Sequence, residues 1–551
     1  MSEPSATDRR DQMFPRLTPH QIDRLREMGK RRTVARGEVL YDQDAAIPQF
    51  YVILSGTLEI VEPLDGKELP ITVAGPGEFT GEMNMLLGRR SLVRARMKEP
   101  GEVLVLSPDV LRKLVQADTE LSEIFLRAFI LRRVALIAKT PGDAVLIGSS
   151  HSAATLRIRE FLTRNGQPHA YLDVEKDPSV QALFDRFGLK IDDVPVVICR
   201  YDRVLKNPSN EEVADCLGLN AVLDSCAIRD LVVVGGGPAG LAAAVYGASE
   251  GLDVLVLETK APGGQAGSSS KIENYLGFPT GISGLALASR ALTQAQKFGA
   301  EVSIARTAAT LICKQHPYRL EIASGGSVRA RAVILATGAQ YRKLPLPELA
   351  RFEGVGVYYG ATSVERQFCG DEEIVVVGGG NSAGQAAVYL AETARHVHVV
   401  VRGPGLAATM SRYLIQRIEE HPRITLRPFT QVEALEGGDH LEQVRIRDSR
   451  SGESETRKIR HAFLMTGADP KTDWLRGCVA MDEKGFVKTG PDLARTDLEG
   501  WPLSRPPLLL ETSMPAVFAV GDVRAGSVKR VASAVGEGSI CVQLVHKVLA
   551  E

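Results

Sequence analysis

Two glycine clusters in this chain have the composition and setting needed to hold phosphate groups. The apolar run Leu231-Val232-Val233-Val234 leads directly into Gly235-Gly236-Gly237-Pro238-Ala239-Gly240, and a segment of helical pattern follows over 241–249. In such a turn the glycines divide the work: one makes the tight bend, one lets backbone approach a pyrophosphate, and one packs helix against strand. The helix N-terminus adds free amides and the positive end of its dipole. Glu258 closes the next apolar run, 254–257, about 20 residues past the glycines, where a carboxylate accepts hydrogen bonds from a ribose diol.

The pattern recurs. An apolar run over 374–377 leads into Gly378-Gly379-Gly380-Asn381-Ser382-Ala383, with a helix expected over 384–392 and a strand over 397–401. Two such sites in one chain call for two dinucleotides. Arg402 stands where the acid would be, and a guanidinium there suits a 2′-phosphate that a carboxylate would repel, which favours NADPH over NADH.

These sites need several domains to position them. A chain of 551 residues is too long for one hydrophobic core, since single cores stop growing near roughly 250–300 residues. Its 44% hydrophobic and 24% charged content is that of a chain folded throughout. The net charge of −1 excludes a global basic field for nucleic acid or membrane surfaces, and no apolar stretch is long enough to cross a bilayer. The start, MSEPSATDRRDQMF, has no apolar signal region, so a cytoplasmic protein is expected. The seven cysteines at 199, 216, 226, 313, 369, 478 and 541 are scattered without a Cys-x-x-Cys pair, and are read as reduced thiols. No metal site is expected.

Strand-like runs separated by glycines fill 31–115 and read as a small β-roll, followed by a helix over 121–139 and a break at Thr140-Pro141-Gly142. A compact α/β unit is expected next, with strands over 144–147, 170–174 and 196–199, helices over 153–164 and 180–187, and a short helix after Pro208. From Ile228 onward strands and helices alternate as in doubly wound parallel sheets.

From about Ile228 to the C-terminus the chain resembles the low-molecular-weight thioredoxin reductase family. The matching residues are Gly235 to Gly240, Gly263-Gly264-Gln265, Ile272-Glu273-Asn274-Tyr275, Ala336-Thr337-Gly338, the second glycine cluster, and Gly521-Asp522 with Lys529-Arg530-Val531-Ala532. The resemblance implies FAD at the first cluster and a nicotinamide dinucleotide at the second. It places Gln265 and Asn274 near the flavin, Asp522 on the ribityl chain, and Arg530, Val531 and Ala532 along the isoalloxazine. It also implies a homodimer, and an FAD domain (226–348 and 473–551) split by an inserted NAD(P) domain (349–472). That family's redox Cys-x-x-Cys falls on Gly360-Ala361-Thr362-Ser363, so both sulfurs are absent at Gly360 and Ser363.

Residues 142–225 resemble the thioredoxin and glutaredoxin fold, with Val194-Pro195 at the position of its cis-proline. Ser152-Ala153-Ala154-Thr155 occupies the place of its active-site cysteines, and hydroxyls cannot cycle through thiolate and disulfide. Residues 1–141 resemble a cyclic-nucleotide-binding domain, whose phosphate cassette begins at Gly81-Glu82. There Glu82 takes the ribose acid's place, Ser91 falls where the arginine belongs, and Arg90 is the nearest substitute for holding a cyclic phosphate. No helix-turn-helix pattern follows Lys139, so a DNA-reading element is not expected.

The expected fold class is therefore α/β: two Rossmann-type domains, for FAD and NAD(P), preceded by a β-roll and a thioredoxin-like domain. The expected activity is hydride transfer from NAD(P)H to FAD and onward to an acceptor, a small oxidant or redox protein, with the cofactors carrying the chemistry and no catalytic side chain. Two alternatives stay open: a regulatory flavoprotein that responds to redox state or cyclic nucleotide, and a thioredoxin reductase using another thiol relay.

Overall fold

The computed structural model describes residues 12–42, 49–64, 67–81, 91, 93–139, 144–150, 152–177, 179–199, 203–220 and 223–551. Glu82 and Arg90 lie outside the described residues.

The N-terminal unit opens with helix α1 (Pro19–Arg26), whose N-terminus is closed by a Thr18–Gln21 capping box. Strands β1 (Lys30–Val34), β2 (Val39–Tyr41), β3 (Phe50–Ile53), β4 (Thr57–Leu64), β5 (Lys67–Ala74), β6 (Arg94–Glu99) and β7 (Gly101–Leu106) form two antiparallel sheets, ordered β1-β7-β3 and β2-β6-β4-β5. Helices α2 (Pro108–Ala117) and α3 (Thr119–Lys139) close the roll. Phe50 and Phe79 from the roll meet Phe125 and Phe129 from α3, with ring centroids 4.8 to 6.3 Å apart.

The middle unit runs β8 (Ala144–Gly148), α4 (Ala153–Arg164), β9 (His169–Asp173), α5 (Ser179–Phe187), β10 (Val196–Cys199), β11 (Arg203–Lys206) and α6 (Asn210–Cys216). Its sheet order is β11-β10-β8-β9, with β8 and β9 parallel and the other pairs antiparallel. The Val194-Pro195 peptide is cis. Strand β11 has no apolar run to announce it and was not anticipated from sequence.

The first Rossmann-type unit comprises β12 (Ile228–Val234), α7 (Pro238–Ser249), β13 (Val254–Glu258), α8 (Gly284–Lys297), β14 (Glu301–Ile304), β15 (Ala308–Ile312), β16 (Tyr318–Ile322) and β17 (Ser327–Leu335). After β18 (Ala339–Tyr341) the chain enters the second unit: α9 (Leu349–Phe352), β19 (Val357–Tyr358), α10 (Ser363–Phe368), β20 (Glu373–Val377), α11 (Asn381–Leu390), β21 (His396–Val400), α12 (Arg412–Glu420), β22 (Ile424–Arg427), β23 (Thr430–Gly437), β24 (Leu441–Asp448), β25 (Ser454–Arg457) and β26 (His461–Leu464). It returns through β27 (Ala468–Pro470), which pairs antiparallel with β18, then adds β28 (Val517–Ala519) and α13 (Val531–Leu549) to the first unit.

In the first unit β12 is flanked by β13 and β17, both parallel to it, so the strand order reverses there and opens a crevice at its carboxyl end. The second unit repeats the arrangement with the parallel sheet β19-β26-β20-β21-β22. Both central strands are nearly continuous apolar runs because both their faces are covered, in the second unit by α11 and α12 on one side and by the β23-β24-β25 sheet on the other.

One cysteine expectation is corrected. Cys313 and Cys478 form a disulfide, with Cα atoms 5.8 Å apart, while Cys199, Cys216, Cys226, Cys369 and Cys541 are free. Spacing in sequence could not show this: the segment after Leu475 packs against the end of β15 across 165 residues. Among the described residues no helix is long and apolar enough to cross a membrane.

Candidate functional site

The first glycine turn is shaped by what surrounds it. Gly235 has φ +109°, and a Cβ there would stand 2.3 Å from the Ala336 carbonyl oxygen, so the Ala336-Thr337-Gly338 segment lies directly against the turn. Helix α7 begins at Pro238 with Gly237 as its N-cap, which leaves the first-turn amides of Ala239 and Gly240 for an external acceptor. Glu258, 7% exposed, accepts from the Gly236 amide through Oε2 at 2.7 Å, and from the Lys260 and Ala261 amides through Oε1 at 2.7 and 3.1 Å. The carboxylate read from sequence as a ribose acceptor thus first fixes the turn itself, and its remaining lone pairs are what it can offer a diol.

Gly263 donates to the Gly236 carbonyl at 2.7 Å, which brings Gly264 and Gln265 beside the turn; the Gln265 amide donates to the Ala339 carbonyl. Asn274 is exposed, next to Glu273. On the other side, Gly521 and Asp522 follow β28. Burial pushes the Asp522 carboxyl up, and Lys529 partly offsets it. Among the described residues no hydrogen bond reaches that carboxylate, and the hydroxyl of Thr337 is buried without a partner. Glu537 on α13, which sequence reasoning missed, accepts from the Gly521 amide and from Arg524, both at 2.6 Å, and so holds the Asp522 turn. Its only signal was an acid in an otherwise small and apolar helical start. Arg530 is the N-cap of α13, and Val531 and Ala532 open that helix.

The second site repeats the geometry. Gly378 has φ +145°, and a Cβ there would meet the Met465 carbonyl oxygen at 2.3 Å. Helix α11 starts at Asn381, three residues before the sequence expectation, because Gly380 caps it. The Asn381 side chain accepts from the Ser411 amide at 2.7 Å, Ser382 is exposed, and Ala383 is buried. Arg402 is exposed just past β21. Tyr341 of β18, also missed, is a neighbour of both Ser382 and Asp522, and burial pushes its phenol up.

Residues 360–363, where the sequence resemblance put the family's sulfurs, lead into α10. Gly360 is half-buried near Ser268, and nearby Thr362 holds the Glu365 carboxylate through its amide and hydroxyl. Cys369 is buried, donates to the Glu365 carbonyl at 3.3 Å, and has its thiol pushed up to about 12 by burial and by Glu365. It is a protonated packing thiol at neutral pH.

The Gly-turn, Asp522 and second glycine site fit two dinucleotides, and comparison with known proteins decides the family. The model for pyridine nucleotide-disulphide oxidoreductases matches residues 229–538. The chain belongs to that family. It is 32% identical over 311 residues to the thioredoxin reductase of Mycolicibacterium smegmatis, covering 56% of this chain and 93% of the relative. It is 33% identical to that of Treponema pallidum, covering 94% of it. Among solved structures, the thioredoxin reductases of Lactococcus lactis (FR conformation) and T. acidophilum each superpose with a TM-score of 0.52, at 26% and 27% identity, covering 58% and 59% of this chain and 99% of theirs. The chain is an FAD-dependent NAD(P)H oxidoreductase, and its family uses FAD and NADPH. Residues 31–118 match the cyclic nucleotide-binding domain.

In that domain Gly81 is buried with φ +107°, and its carbonyl accepts from Arg132 of α3 at 2.9 Å. Ser91, at the arginine's counted position, is buried and bonds the Val93 carbonyl at 2.8 Å.

Proposed function

We propose that the chain passes reducing equivalents from NAD(P)H through FAD to an external acceptor, without a disulfide of its own in the route. FAD supplies the chemistry when bound, taking a hydride and returning electrons to the acceptor. The chain's residues bind and orient: the α7 and α11 amides take the pyrophosphates, Asp522 takes a ribityl hydroxyl, and Arg402 takes the 2′-phosphate.

The observation that carries this reading is where the sulfurs are. None stands at Gly360 or Ser363, and Cys369 is buried and protonated. Cys313–Cys478 lies at the wrong end of the sheet. Strand register sets Ile312 level with Arg319, Arg329 and Ile228, at the start of β12, while the glycine turn follows its end. Six residues at about 3.3 Å each put the disulfide roughly 20 Å along the strand from the turn. This argues against the thiol-relay alternative. The test is steady-state turnover of NADPH with quinone, ferredoxin and thioredoxin as acceptors; sustained turnover with thioredoxin alone would refute the proposal.

The β-roll is read as a cyclic-nucleotide module, and residues 142–225 as a thioredoxin-like module supported by the β11-β10-β8-β9 sheet. A cytoplasmic homodimer is the assembly this reading carries.

A further inference from the structure

We infer that the middle domain positions the NAD(P) domain over the FAD domain, through helix α4. This rests on the proposed hydride transfer between the two sites.

The middle and FAD domains are one body. A single hydrophobic core runs from Leu146, Ile158 and Phe161 through Leu219 into Leu231 and Val302. Asn220 exchanges two hydrogen bonds with the Ile304 backbone, at 2.8 and 2.7 Å, and Arg306 bonds Asp215 at 2.9 and 3.1 Å. The NAD(P) domain has separate cores and joins through the β18–β27 pair, three residues on each strand. A domain hung on two short strands can pivot there.

Helix α4 reaches across that pivot. At its C-terminal end Arg164 donates to the Gly264 carbonyl at 2.6 Å and Asn165 to the Lys260 carbonyl at 3.1 Å, both in the loop beside the FAD turn. From the same helix Arg159 donates to Gln367 of α10 at 2.9 Å, and the Ala153 Cβ lies 3.3 Å from where a Cβ on Gly354 would be. Ala153 and Leu156 share a cleft of about 170 Å³ with Tyr358, Glu365 and Phe368. The two segments whose counterpart families carry cysteine pairs, 152–155 and 360–363, therefore stand at one seam.

The missing sulfurs explain why a fixed seam is workable. A nicotinamide domain with its own disulfide must bring two groups in turn to one flavin, so it has to move. Here only the nicotinamide needs that place, and a held orientation loses no step.

The test uses the full-length protein with Ala153→Cys and Gly354→Cys, whose Cβ separation is close to the roughly 3.5–4.5 Å of disulfides. Because Gly354 has φ +81°, a second protein carries Arg159→Cys and Gln367→Cys, bridged by a short bifunctional maleimide. Peptide mapping should find each cross-link. The linked proteins should bind NADPH as before and show flavin reduction within about threefold of the same proteins before linking, wild type carried through the same oxidation or maleimide treatment serving as control. Failure of both pairs to link, or a larger loss that appears only on linking, overturns the inference. Wild type whose flavin NADPH never reduces would instead remove the proposed function and leave the seam untouched.

Discussion

Arg417 of the NAD(P) domain is held by Glu273 of the FAD domain through two bonds, 2.5 and 3.1 Å long. Burial pushes the Glu273 carboxyl up, but Arg417 and Lys271 outweigh it and hold it below the ordinary carboxylate range. A carboxyl lowered in this way stabilises the contact at neutral pH and releases it as pH falls through its own lowered pKa. The pair is partly exposed, so it is worth only about 0.5–1 kcal/mol. The rate of NADPH-driven flavin reduction should therefore change only on acidification below the ordinary carboxylate range, and Glu273→Gln should remove that component of the profile. An identical profile in the variant would show that the contact does not set the domain angle.

Asp522→Ala should lose FAD before it loses NADPH affinity. Its half-buried carboxylate should hold a ribityl hydroxyl by a charge-assisted bond worth about 1.5–3 kcal/mol. Glu537→Gln should weaken FAD in the same direction, because Glu537 fixes the Gly521 amide. The ratio of flavin to protein absorbance after dialysis reads both, and an Asp522→Ala protein that stays fully flavinated contradicts the assignment.

Arg402→Ala should raise the KM for NADPH far more than that for NADH, since only the 2′-phosphate distinguishes them. Equal increases would remove Arg402 from the site.

Thiol titration of the denatured, unreduced chain should find five thiols, the free cysteines, and seven after reduction. Seven at the outset would mean that Cys313 and Cys478 are not joined.

The parts of the site that could be read from sequence are those whose determinants are local. A strand, a glycine turn and a helix N-terminus are contiguous, so both dinucleotide sites and Asp522 were visible as residue types in order. Glu537 was not, because it acts on Gly521 from sixteen residues downstream in another element. Tyr341 gave no signal until β18 was seen to pass Ser382 and Asp522. Cys313 and Cys478 are neighbours only through the packing of β15 on a segment beyond the whole NAD(P) domain. Glu258 was legible as an acid at the end of β13, but its bonds to three backbone amides depend on how the 260–261 turn folds back.

The most direct measurement is an anaerobic NADPH titration followed by the flavin's visible spectrum. On the proposed route, which passes through no disulfide of the chain's own, about one equivalent of NADPH per FAD should complete the bleach. A requirement for two equivalents, lowered to one by substituting cysteines, would place a disulfide in the electron route and contradict the account.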